Sequence, residues 1–262
     1  MAIASKVALP SEVNIGDFDS IFVRIFGFEI VASFYFIMIY THNAVVTLVL
    51  GKRAKLSSGQ TGVHFGLVFA LIYFFGMQEV VIESSPFTSW GIDFVIYQFF
   101  GGVGEAVVAL LLCVVISKCI IERKERQPEK HHGTLQKKLS AILLIAFAFT
   151  IARVIGYETG FIHSDVKSFP IPCYIWTVLF GIVLGFGYTM LRPVFEDEKG
   201  IIKLSVKIMV LTIGLSWMIF NSFIGLIFAR EMFPLLIRSG LDVVASFIAA
   251  LIWEKYFSKC KP

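Results

Sequence analysis

Few residues in this chain can do chemistry, and most of them stand inside apolar stretches. In "RSGLDVVASFIAALIWEK" (residues 238 to 255), Arg238 and Asp242 lie one helical turn apart, with Ser246 at the next turn. Arg238, Asp242, Ser246 and Ala249 share one helical face. The spacing predicts an ion pair between Arg238 and Asp242 on their own helix, which lowers the cost of turning Asp242 inward. In "YQFFGGVGE" (97 to 105), Gln98, Gly101, Gly102 and Glu105 follow the i, i+3, i+4, i+7 pattern of one face. Glu105 falls near the middle of its apolar segment. The plain reading of that stripe is a close helix contact, because small residues admit a neighbouring backbone, with Glu105 protonated or hydrogen-bonded. The functional reading is a proton or ion relay, for which Glu29, Gln98, Glu105 and Asp242 are the candidates.

The remaining polar groups sort by depth. Glu83, Asp93, Glu158 and Arg238 fall near segment ends, where they read as wet helix termini. His42 and Asn43, Gln78 and Glu79, Arg153 and Asn221 lie farther in or beside those ends. Trp176, Trp217, Asn221, Asp242 and Ser246 could line a pocket with aromatic walls and a few polar groups.

Other chemistries find no support. "GGVGE" at 101 to 105 does not open a helix after a strand, so it is no phosphate loop. No Ser-His-Asp or Cys-His set converges on a water-accessible loop, which argues against an enzyme. His42, His64, His131, His132 and His163 are scattered without metal-ligand spacing, so no metal is expected. Cys113, Cys119, Cys173 and Cys260 lack CxxC spacing and read as unpaired. Cys119 and Cys260 stand where palmitoylation could occur.

The elements that must position these groups are membrane helices. The 262 residues are 57% hydrophobic and 16% charged, against roughly 25% charged in an average soluble domain. Seven apolar stretches reach the roughly 20 residues that a helix needs to cross a bilayer. They run over about 21–50, 62–83, 92–117, 137–160, 171–191, 203–229 and 233–254. Their length and lack of strict alternation predict continuous helices and not a β-barrel. One transmembrane domain over 21–257 is expected, between an extracytoplasmic segment at 1–20 and a cytoplasmic tail at 258–262. Glu12, Asp17 and Asp19 precede the first apolar run, unlike the basic start of a cleavable signal, so the first helix reads as a retained anchor. With the N-terminus outside, 17 of the 23 basic residues fall in inner positions. The predicted topology is therefore N-out, C-in, and topology explains the net charge of +4 without nucleic acid.

The last segments resemble the microbial (type 1) rhodopsins, the bacteriorhodopsin-like seven-helix family. Leu241-Asp242-Val243-Val244-Ala245-Ser246 is similar to that family's Leu-Asp-x-x-Ala-Lys, Trp217 matches its helix 6 tryptophan, and "YIW" at 174 to 176 is similar to its helix 5 aromatic run. Helix number, orientation and length agree as well. The resemblance implies a bacteriorhodopsin-like seven-helix bundle with a departure that decides its chemistry. Ser246 stands where the family has the lysine that forms the retinal Schiff base, and an alcohol cannot form an imine. Helix 3 also departs: Ile92 or Asp93 takes the family's Arg position, and Val95 or Ile96 the counter-ion position.

The reading that follows is an integral membrane protein, most simply of the plasma membrane, that cannot hold retinal covalently. It would act as a non-photoactive sensor, scaffold or partner-binding subunit, as the resemblance implies for the family's lysine-less fungal relatives. Two alternatives stay open: a proton or cation channel or transporter using intramembrane carboxylates, and noncovalent binding of retinal, lipid or another apolar ligand near Trp176, Trp217 and Ser246. The expected partners are the lipid bilayer and a second copy or another membrane protein.

Overall fold

The computed structural model describes residues 18–54, 56–82, 91–121, 134–162, 164, 166–195, 198 and 200–258. Every regular element among them is helical: α1 (Ile21–Phe26), α2 (Phe28–Gly51), α3 (Ser58–Ile82), α4 (Gly91–Ile120), α5 (Leu135–Glu158), α6 (Pro170–Leu191) with a 3-10 turn after it (Arg192–Phe195), α7 (Ile201–Ile227) and α8 (Met232–Tyr256). The seven helices α2 to α8 are long and apolar enough to cross a membrane, and they make the chain a multi-pass integral membrane protein built as an all-α seven-helix bundle. Glu83, His131, His132, His163, Cys260 and nearly all of the two terminal segments lie outside the described residues, as does the Asp93 side chain.

The first apolar run is interrupted where one continuous helix was expected. Gly27 has φ +80°, a left-handed conformation that suits glycine, and it ends α1 before α2 begins. Ser20 caps α1 through Val23 N and ties it to the far end of α7 by donating to Leu226 O at 2.5 Å. The sixth span is also irregular. Between the α-helical stretches Ile201–Ser205 and Leu215–Ile227, Val206–Gly214 is π-helical. Such wide turns shift backbone partners, and here Thr212 Oγ1 donates to Lys207 O at 2.7 Å while His42 Nε2 lies 3.0 Å from Leu211 O.

Short connections favour packing between chain neighbours, and among the spanning helices that packing is extensive within three hairpins: α3 with α4, α5 with α6, and α7 with α8. Around the bundle the main packing order is α2, α4, α3, α6, α5, α8, α7 and back to α2. Two hairpins owe their closeness to glycine pairs four residues apart. A Cβ at Gly62 would meet Val114 Cα at 2.8 Å, and one at Gly66 would meet Leu110 Cα at 2.9 Å. On α6, a Cβ at Gly185 would meet Ile142 Cα at 2.7 Å and one at Gly181 Ala146 Cα at 3.0 Å. Lipid exerts no hydrophobic drive between helices, so backbone proximity of this kind supplies the packing.

Inside the ring, aromatic side chains form a continuous pile. Trp176 stacks on Phe180 (centroids 4.9 Å apart), Phe180 on Trp217 (4.4 Å) and Trp217 on Phe220 (5.7 Å). The series continues through Tyr73 (5.8 Å), Phe69 (6.3 Å) and Phe65 (6.4 Å) to Phe195 (6.1 Å). All of these rings are buried.

Candidate functional site: a buried charge clamp

Four charged side chains meet at one end of the pile. Arg153 comes from α5, Glu79 from α3, and Arg238 and Asp242 from α8; all four are buried. The Arg153 guanidinium binds Asp242 with two parallel hydrogen bonds, Nε to Oδ1 at 2.7 Å and Nη2 to Oδ2 at 2.6 Å. Its Nη1 also lies 2.9 Å from Glu79 Oε1. The other Glu79 oxygen, Oε2, lies 3.3 Å from Arg238 Nη2. Two cations and two anions cancel, which is how a charge becomes tolerable at this depth.

Neutral groups complete the geometry. Trp217 Nε1 donates to Asp242 Oδ2 at 2.9 Å. Arg238 Nη2 donates to Asn221 Oδ1 at 2.9 Å, and Asn221 Nδ2 donates to Trp217 O, also at 2.9 Å. The Tyr157 hydroxyl accepts from Arg153 Nη1 at 3.4 Å and lies 3.1 Å from Thr177 Oγ1. Phe149 and Trp176 flank the guanidinium, their ring centroids 5.3 and 5.5 Å from its carbon. At such distances a ring face adds a desolvated cation–π attraction.

The expected pairing within α8 is therefore corrected. Asp242 takes its arginine from α5, while Arg238 turns to Glu79 and Asn221. The bidentate fork explains the choice, since two parallel bonds to one carboxylate outweigh a single contact along one's own helix. Arg238 is also no wet helix end: it is 7% exposed.

Of the predicted pocket, Trp176, Trp217, Asn221 and Asp242 do come together, but the two tryptophan rings lie 6.5 Å apart and Phe180 packs against both. Ser246 is buried, and its hydroxyl has no hydrogen-bond partner among the described residues. The predicted relay is not one file of groups. Glu29 lies exposed at the start of α2, Asp242 belongs to the clamp, and Glu105 binds the Tyr40 hydroxyl of α2. Gln98 is buried on the face of α4 that it shares with Glu105.

Glu79 and Arg153 are the functional candidates whose roles sequence reasoning missed. The available signal was depth: each is a charge in the last two turns of an apolar helix, and two opposite charges of that kind need partners on other helices. A second acid was missed at the opposite end of the bundle. Glu254 of α8 is 4% exposed, accepts from Arg192 Nε at 2.7 Å and from the Tyr188 hydroxyl at 2.6 Å, and Arg192 sits over the Trp253 ring.

Fold and clamp together define a seven-helix membrane protein whose interior charges are neutralised across helices. Comparisons with protein-family models, with curated proteins and with solved structures each gave no match.

Proposed function

We propose that this chain is a non-photoactive, non-enzymatic subunit of the sensor or scaffold kind, acting through partners met in the membrane. The single observation that carries this reading is Arg153, held by Asp242 and Glu79 at once and flanked by two rings. A group so fully engaged is poorly suited to hand on an ion, and the ring pile packs buried aromatic side chains into the bundle interior. Ser246 in place of a lysine supports the absence of a covalent chromophore. The kinship with microbial rhodopsins rests on Leu241–Ser246, Trp217 and "YIW", and the helix order lends it nothing; the functional reading does not require it. The basic inner positions support an N-out orientation, and the plasma membrane is the simplest location for it.

The test is reconstitution. Proteoliposomes of the purified protein should pass no more protons or cations than empty vesicles, and all-trans retinal should leave the protein colourless. Flux that disappears in Glu105→Gln would replace this reading with the conduit. A pigment formed by Ser246→Lys with retinal would instead favour an apolar-ligand site beside Trp176 and Trp217.

A further inference from the structure

Four carboxylates are buried among the described residues: Glu79, Glu105, Asp242 and Glu254. Three of them are ion-paired to arginine. Glu105 differs: its partner is a hydroxyl, that of Tyr40 on α2. It lies near the middle of α4, 8% exposed, on the face that packs against α2 and α3.

Among the described residues, the surroundings of Glu105 are polar without being cationic. The ionisable side chains electrostatically coupled to it are tyrosines: Tyr35 and Tyr40 of α2, Tyr73 of α3 and Tyr97 of α4 itself. Glu29, Lys118 and Cys119 are exposed toward the ends of these helices, and the remaining described titratable groups on them are engaged elsewhere. His42 binds Leu211 O, His64 binds Gln60 O, Cys113 accepts from Thr47, and Glu79 belongs to the clamp. Among the described residues, no lysine, arginine or histidine pairs with Glu105. An ionised carboxylate at this depth without a cation carries most of its desolvation penalty, and a protein relieves that penalty by neutralising the group. Gln98, two turns away on the same face, contributes a buried side-chain oxygen with no donor among the described residues, a second acceptor that water or a hydronium could meet.

We propose that Glu105 is a membrane-embedded proton-binding site, its carboxyl keeping its proton at neutral pH while accepting the Tyr40 hydrogen bond. The ligand is the proton itself. Release is a plain acid dissociation: the O–H bond of the carboxyl breaks, its electron pair stays on the oxygen, and a water or hydroxide takes the proton. The site does not depend on the sensor or scaffold reading; proton flux would overturn that reading and leave this one standing.

Two measurements on the full chain in liposomes test it. In infrared difference spectra of wild type against Glu105→Gln, a protonated-carboxyl C=O stretch should be present only in the wild type and should shift down in deuterium oxide. Should Glu105→Gln fail to fold, Tyr40→Phe serves in its place, because losing the hydrogen bond should displace that stretch without abolishing it. Loss of an ionised-carboxylate band in Glu105→Gln, or an unmoved protonated-carboxyl region in Tyr40→Phe, overturns the proposal. The second measurement is labelling by dicyclohexylcarbodiimide. The acid proton passes to a carbodiimide nitrogen, the carboxylate oxygen bonds the central carbon, and an O-to-N acyl shift leaves a stable N-acylurea with no leaving group. Mass spectrometry should find that adduct on Glu105 in preference to Glu79, Asp242 and Glu254, and the reverse preference overturns the proposal.

Discussion

Arg153 and Asp242, 89 residues apart in the chain, face each other as a two-bond fork at 2.7 and 2.6 Å with both side chains buried. The fork joins α5 to α8, and through Glu79 it also reaches α3. Removing one partner of a buried pair typically costs about 3–5 kcal/mol, because the other charge is left unpaired. Arg153→Met leaves two carboxylates without it and Asp242→Asn only perturbs one arginine, so Arg153→Met should be the more damaging. Thermal unfolding in detergent measures both. The double variant Arg153→Met with Asp242→Asn should recover part of the loss, and a strictly additive double variant would contradict the coupling.

Arg238 belongs to a different branch of the same network. Arg238→Gln keeps a donor for Asn221 but withdraws the cation from Glu79 Oε2. Its loss should therefore be relieved by Glu79→Gln and not by Asp242→Asn, because the carboxylate of Asp242 is held by Arg153 and not by Arg238. A double-mutant cycle over Arg238, Glu79 and Asp242 reads this directly. Coupling between Arg238 and Asp242 equal to that between Arg238 and Glu79 would restore the pairing within α8.

The seven helices were legible because membrane spans announce themselves by length and apolarity, and those signals are local. The irregularities were less so: one glycine among 21 does not declare that it will take φ +80° and break a helix, and nothing in the residues of Val206–Gly214 sets them apart as π-helical. The clamp was half legible. Asp242 and Asn221 declared themselves as polar residues at depth, but which arginine reaches Asp242 depends on α5 lying beside α8, an adjacency that short connections do not predict. Reading Arg238 and Asp242 by spacing alone found two members of the network and the wrong bond between them. Phe180 escaped notice for a related reason: one phenylalanine among 27 carries no mark of its place in the ring pile.

Close backbone contact between α3 and α4 gives a prediction about packing. Gly62 and Gly66 have no room for a Cβ, since backbone atoms of Val114 and Leu110 would lie within 3 Å of it. Gly66→Ala should push the helices apart and destabilise by about 1–3 kcal/mol, the usual range for overpacking. Gly104→Ala is the matched control, because a Cβ there meets nothing within 4 Å. Comparing the two variants by thermal unfolding separates steric crowding from the general effect of alanine in a helix, which at Gly104 should be neutral or slightly stabilising.

Between α6 and α7, Glu198 accepts a hydrogen bond from Lys207, and that bond together with the nearby ammonium holds the Glu198 carboxyl below its ordinary value. A carboxyl whose folded pKa is depressed contributes stability that is fully present above its unfolded value, about 4.3, and that disappears as pH falls through the folded one. Wild type should therefore exceed Lys207→Gln in stability at neutral pH, and the gap should close as the solution is acidified below the ordinary glutamate range. Because Glu198 is solvent-accessible, the gap should also shrink in high salt, which buried pairs such as Arg153 with Asp242 resist. Unfolding midpoints of the two proteins across an acid pH series, each at low and high salt, provide the check. A gap that persisted at acid pH would mean that Lys207 acts through its place over the Phe195 ring and not through Glu198.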